Sequence, residues 1–195
     1  MRLFIALDIE SAIRERVSQF VDAVREFAPE ARWVKPESLH VTLKFIGERP
    51  ESTVEKIKQG IASIQAESPR IQFGGYGFFP SAKSPRVFWI GLKSGPELLS
   101  LAALIDDRLA ALGMLKEARA FSPHLTLART AGASGSPRRS KQDRPNAVFG
   151  QLQEKLLNFP EQEFGTMTPR EFFLYQSQLS PKGSKYIKLA AFGLP

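Results

Sequence analysis

Leu39-His40-Val41-Thr42-Leu43-Lys44-Phe45-Ile46-Gly47 and Pro123-His124-Leu125-Thr126-Leu127-Ala128-Arg129 share a four-residue phrase, His-x-Thr-Leu, and hold the chain's only two histidines. Apolar and polar residues alternate in each, the period-2 pattern of a half-buried strand. His40 and Thr42 then share one face, as do His124 and Thr126, while Val41, Leu43, Leu125 and Leu127 anchor the opposite face in a core. One such phrase is most often a satisfied, half-buried histidine. The same phrase twice, each time inside an apolar alternation, points to two equivalent strands that each present an imidazole beside a hydroxyl.

The rest of the chain arranges itself around these strands. Leu3–Leu7 is a short apolar run that reads as a buried strand. Ser11 reads as an N-cap, with Arg14 where a capping box would place Glu. Ile13, Val17, Phe20, Val21, Val24 and Phe27 then recur at helical spacing until Pro29. Glu51–Ala66, Pro96–Leu112 (stopped by Gly113) and Ala147–Leu157 are further helices. Ile71–Phe79 and Arg86–Leu92 are strands joined by a Pro-rich turn, and Phe172–Leu179 with Tyr186–Phe192 forms a closing hairpin across Pro181-Lys182-Gly183. Each half runs from a His-Thr strand through a loop to a helix and then strands. An internal duplication with pseudo-twofold symmetry within one domain, residues 1–195, is the economical reading. Residues 131–146 break the pattern with little to bury, and read as a flexible basic loop.

Composition narrows the chemistry. A chain of 195 residues, 43% hydrophobic, can bury a proper core, and its net charge of +7 favours anionic partners (nucleic acid, nucleotides or anionic lipid surfaces) without choosing among them. The absence of cysteine excludes disulfide scaffolds and thiolate metal sites. No His-x-x-x-His cluster or similar is present, so neither metal nor cofactor is expected. No apolar run approaches the ~20 residues of a membrane span, the N-terminal run stops too early for a signal peptide, and a cytoplasmic monomer is the expectation.

Two imidazoles and two hydroxyls around a twofold axis suit a phosphodiester. With an ordinary pKa near ~6.5, one ring serves as base while the other serves as acid. Threonine hydroxyls donate to the non-bridging oxygens, where charge accumulates. Arg129 suits phosphate, but strict alternation sends it to the face opposite His124 unless the strand ends or bulges. Lys44 shares parity with His40 and either adds positive potential or is simply solvated. Trp33, Phe121 and Tyr175 are candidate base-stacking rings as well as ordinary core residues. Arg138, Arg139, Lys141 and Arg144 are candidate phosphate contacts or a solvated loop face.

The paired phrases, together with Arg2-Leu3-Phe4-Ile5-Ala6-Leu7, Pro85-Arg86-Val87-Phe88-Trp89-Ile90-Gly91 and Leu174-Tyr175-Gln176-Ser177-Gln178-Leu179, resemble the two-histidine phosphoesterases. Within them the chain is most similar to the RNA 2′,3′-cyclic phosphodiesterases, also called 2′-5′ RNA ligases. The resemblance implies a bilobal α+β fold with two antiparallel sheets facing a central cleft and helices packed outside. It implies hydrolysis of RNA 2′,3′-cyclic phosphate ends, tRNA fragments among them, to 2′-phosphates. It gives His40 the role of acid toward the leaving 3′ oxygen and His124 that of the base that activates water. Thr42, Thr126 and Arg129 match phosphate-contacting positions. Three other readings stay open on the same scaffold: a small cyclic nucleotide phosphodiesterase, a non-catalytic RNA-binding module, and reversal of the chemistry as 2′-5′ ligation.

Overall fold

A computed structural model describes residues 1–130, 147–180 and 183–195. The basic loop 131–146 and two residues of the Pro181-Lys182-Gly183 turn lie outside the described residues. In chain order the elements are β1 (Arg2–Asp8), α1 (Ser11–Val24), β2 (Arg32–Trp33), β3 (His40–Glu48), α2 (Val54–Ala62), β4 (Ile71–Phe79), β5 (Val87–Ser94), α3 (Pro96–Ala111), β6 (His124–Arg129), α4 (Gly150–Leu157), β7 (Glu163–Met167), β8 (Glu171–Ser180) and β9 (Gly183–Gly193).

The α+β architecture is the expected one. The strands run in the order β7-β4-β5-β6-β3-β1-β8-β9, every pairing antiparallel, with β2 beside β6. One joint is thin: β3 and β6 are bridged at Val41 and Leu125 alone. The nine strands form one antiparallel sheet that narrows to a single bridge at this seam, and the His-Thr strands are the two that meet there. The halves also exchange strands. β4 follows α2 in sequence yet lies beside β5 on the His124 side, and β8 follows α4 yet lies beside β1 on the His40 side.

Helices cover the outer faces because their apolar stripes demand it. Ile13, Val17, Phe20 and Val24 of α1 are all buried, at spacings of three and four residues. Burying each such side chain contributes about 1.5–3 kcal/mol. Ser11 is the first helical residue rather than the cap; Glu10 holds the cap position and makes no side-chain cap hydrogen bond. Helix α3 begins with Pro96 and ends at Ala111, one residue before the expected Leu112; Gly113 follows it with a φ of 84°, open to glycine without steric cost.

β1 serves both layers. Leu3, Ile5 and Leu7 enter the main core with the helices, while Phe4 and Ala6 join Phe173 and Tyr175 in a smaller cluster on the other face. In register, Asp8 stands opposite His40 and Ala6 opposite Thr42.

Each His-Thr strand carries a bulge at the same offset. On β3 the register passes from Ala6–Thr42 to Ile5–Lys44, so Leu43 is the extra residue; on β6 it passes from Trp89–Thr126 to Phe88–Ala128, so Leu127 is the extra residue. A bulge reverses the parity beyond it. Lys44 therefore turns away from His40 toward the helices. It is 6% exposed, lies 2.5 Å from Asp106 Oδ1 on α3, and donates to the Leu115 carbonyl at 3.0 Å. Asp106 also accepts from the backbone N–H of Glu117. Lys44 is thus neither solvated nor part of the site. Asp106→Ala, which strands a buried ammonium, is expected to destabilise the fold by about 3–5 kcal/mol, whereas Lys44→Met with Asp106→Leu together costs much less. Urea denaturation of the single and double variants checks this.

Candidate active site

Val41 and Leu125 are fully buried, so the residues flanking them in sequence face the other way, into the cleft. Extending the Val41–Leu125 register by one step sets His40 across from Thr126 and Thr42 across from His124. The two histidines flank the single bridge, near enough that His124 lowers the His40 pKa. The seam thus brings together His40, Thr42, His124 and Thr126.

The same local device orients both rings. Nδ1 of His40 lies 2.8 Å from the Ser38 carbonyl, and Nδ1 of His124 lies 2.8 Å from the Ser122 carbonyl. A carbonyl oxygen only accepts, so Nδ1–H donates and Nε2 is left as the nitrogen that takes or gives a proton. Ring packing fixes the planes. His40 lies 4.8 Å from Phe4 and edge-on to Tyr186 at 5.0 Å; His124 is edge-on to Phe79 at 4.9 Å. Phe79 in turn stacks on Trp89, whose ring lies over Gly77; a Cβ there would stand 2.3 Å from Trp89 Cζ2, so only glycine leaves the room.

The bulge at Leu127 returns Arg129 to the cleft face. Its Nη2 lies 3.3 Å from Thr126 Oγ1, and its charge is felt by both histidines. The objection from strict alternation is answered by that one extra residue. At the equivalent offset on β3 stands Phe45, packed on Phe4 at 6.3 Å. One flank of the cleft is thus cationic and the other aromatic.

Electrostatics sharpen the difference. Burial draws the His40 pKa down to about 4; the Ser38 hydrogen bond raises it, Arg129 lowers it, Asp8 raises it and His124 lowers it. His124 is also held below its ordinary value, chiefly by burial, with the Ser122 hydrogen bond raising it and Arg129 lowering it. Burial lowers the Arg129 pKa too, with Tyr186 opposing and Arg2 reinforcing the shift. Asp8 has no counterpart beside His124, where Gly91 holds the matching place in register. Its carboxylate accepts from the Tyr175 hydroxyl and, at 2.5 Å, from Lys188 Nζ.

Of the candidate stacking rings, Tyr175 is near the site, 6.5 Å from His40, but it is 6% exposed and stacked on Phe4. Trp33 packs edge-on to Phe88 and donates to the Ala28 carbonyl, and Phe121 packs against the main core. Sequence reading passed over Asp8, Phe4, Phe79 and Tyr186. Asp8 carried no local signal, because it ends a run that reads as uniformly apolar. Among the described residues no group of three or more His, Asp or Glu side chains gathers as a metal site, and no helix is long and apolar enough to cross a membrane.

Comparisons with known proteins agree with this fold. The family described as LigT like Phosphoesterase matches residues 7–89. An RNA 2′,3′-cyclic phosphodiesterase of Archaeoglobus fulgidus is 34% identical over 98% of this chain and 99% of its own length. One from Methanothermobacter thermautotrophicus is 30% identical over 100% and 99%. The crystal structure of Escherichia coli LigT complexed with 3′-AMP superposes with a TM-score of 0.75 at 26% identity, covering 99% of this chain and 97% of that one. With a relative 34% identical over nearly the full length of both chains, the chain belongs to the LigT-like phosphoesterase family.

Proposed function

We propose that the chain hydrolyses RNA 2′,3′-cyclic phosphate ends to 2′-phosphates, with His40 and His124 as acid and base and without a metal. The observation that carries this reading is the pair of identically tethered imidazoles on the two strands that meet at one bridge. The phosphorus sits between the rings. His124 Nε2 takes a proton from water as its oxygen bonds to phosphorus in line with O3′. The P–O3′ bond breaks, His40 Nε2 delivers its proton to O3′, and the phosphate stays on O2′. Thr42, Thr126 and Arg129 donate to the non-bridging oxygens, where charge builds. The relatives named RNA 2′,3′-cyclic phosphodiesterase support the substrate class. The two lobes act as one catalytic unit, since each supplies one histidine, and the chain is proposed to work as a monomer in the cytoplasm.

The test is an oligoribonucleotide with a 2′,3′-cyclic end incubated in EDTA, with the product assigned by ³¹P NMR. A 2′-phosphate is expected. A 3′-phosphate, an unchanged cyclic end, or activity lost on chelation contradicts the reading.

The pH profile follows from the electrostatics. In the free enzyme both rings are neutral at pH 7, because both pKa values lie below 6.5. Catalysis needs one proton shared by the pair, a population greatest between the two pKa values. So kcat/KM is expected to peak below pH 6.5, on the acidic side of an ordinary histidine. A phosphodiester anion between the rings raises both values, so kcat peaks at higher pH than kcat/KM. Paired profiles check both statements; a kcat/KM optimum well above 7 would refute them.

A further inference from the structure

Beside His40, on the flank away from the seam, lies a cavity of about 360 Å³. Its wall includes Asp8 at the end of β1, Arg14 in the first turn of α1, Glu37 and Ser38 before β3, and Tyr186 and Lys188 on β9. Such a volume is within the ~300–1,000 Å³ of small-molecule sites.

In-line displacement decides what enters it. Water arrives from the His124 side and O3′ departs toward His40. Ribose carries both O3′ and O2′, so the nucleoside extends from the phosphorus on the His40 flank, where the cavity opens. The polar groups around it are unevenly committed. Asp8 is held by Tyr175 and Lys188. Arg14 is tethered through Nη2 to the Ile9 carbonyl at 2.9 Å, while its Nε is hidden from solvent without a hydrogen-bond partner. That accounts for a residue that made no sense as part of a capping box. Glu37 is exposed and has no ion pair or hydrogen bond among the described residues.

We propose that this cavity is the subsite for the terminal nucleoside, with the base packed against Tyr186 and its polar edges read by Glu37 and Arg14. This rests on His40 being the acid. A carboxylate accepts and a guanidinium donates. Guanine alone among the four bases offers two adjacent N–H donors to a carboxylate, and its O6/N7 edge suits a guanidinium. Guanosine ends are therefore the favoured substrates.

The experiment compares the four nucleoside 2′,3′-cyclic monophosphates on the full chain, on Glu37→Gln, on Arg14→Met and on Phe79→Leu. The wild type is expected to show its lowest KM for the guanosine compound. Glu37→Gln is expected to raise that KM roughly tenfold, the loss of one bidentate base contact, with kcat retained and the four bases brought level. Arg14→Met is expected to raise the guanosine KM as well. A base ranking unmoved by either variant overturns the proposal, as does a ranking moved by Phe79→Leu, which would put the nucleoside beside His124. Failure to turn over any of the four, together with an unchanged cyclic end on the oligoribonucleotide, would instead refute the proposed activity. Calorimetry with guanosine 2′-monophosphate on the wild type and Glu37→Gln then decides the subsite by itself: equal affinities overturn it, and weaker binding to Glu37→Gln supports it.

Discussion

His40→Ala and His124→Ala are each expected to lower kcat by about 10³-fold or more, since a positioned acid or base contributes ~10²–10⁴-fold and the two serve one proton transfer. The double variant is expected to lose little beyond either single one, because groups that act as a unit are not additive. This non-additivity is the informative part. Two independent sites would multiply their losses, whereas one cleft loses its function once. Each ring is tied to a backbone carbonyl and packed against an aromatic residue, so thermal melts of all three variants are needed to show that the fold survives. Near-wild-type turnover in either single variant, with folding intact, would refute the paired mechanism.

Arg129→Met is expected to lower kcat by about 10²–10³-fold, the loss seen when one preorganised donor to a developing charge is removed. A second readout separates this role from a structural one. Arg129 lowers the pKa of both histidines, so removing its charge is expected to move the kcat/KM optimum to higher pH. Arg129→Lys keeps the charge but not the planar fork beside Thr126. It is expected to keep the wild-type pH optimum while recovering only part of the rate. A pH optimum unmoved in Arg129→Met would remove Arg129 from the electrostatics of the site.

These expectations mark how far the sequence could be read. The alternation His40-Val41-Thr42-Leu43 showed which residues face the cleft, because period 2 is a property of the strand itself. The parity of Lys44 and Arg129 was not legible in the same way. The bulges at Leu43 and Leu127 exist only in register with β1 and β5, strands distant in the chain. Each bulge reverses the faces of the residues beyond it, turning Lys44 into an ion pair with Asp106 and Arg129 toward Thr126. Asp8 was hidden for a related reason. Leu3–Leu7 reads as uniformly apolar because both its faces are buried, and only the pairing of Asp8 with His40 reveals the second face as a wall of the site. The short strand β7 escaped notice because Gly165, at φ 120°, interrupts the alternation of Phe164 and Met167. The exchange of β4 and β8 between the two sides of the seam leaves no local trace at all.

Two histidines in the whole chain permit a direct test of whether one phosphorus is held from both sides. The ¹⁵N imidazole spectrum contains two ring systems, assigned by His40→Ala. Titrating the full-length protein with a nucleoside 2′-monophosphate is expected to shift both rings at the same ligand concentration and to raise both pKa values together. A response confined to one ring would show that the imidazoles do not share a ligand, and would contradict the mechanism at its root.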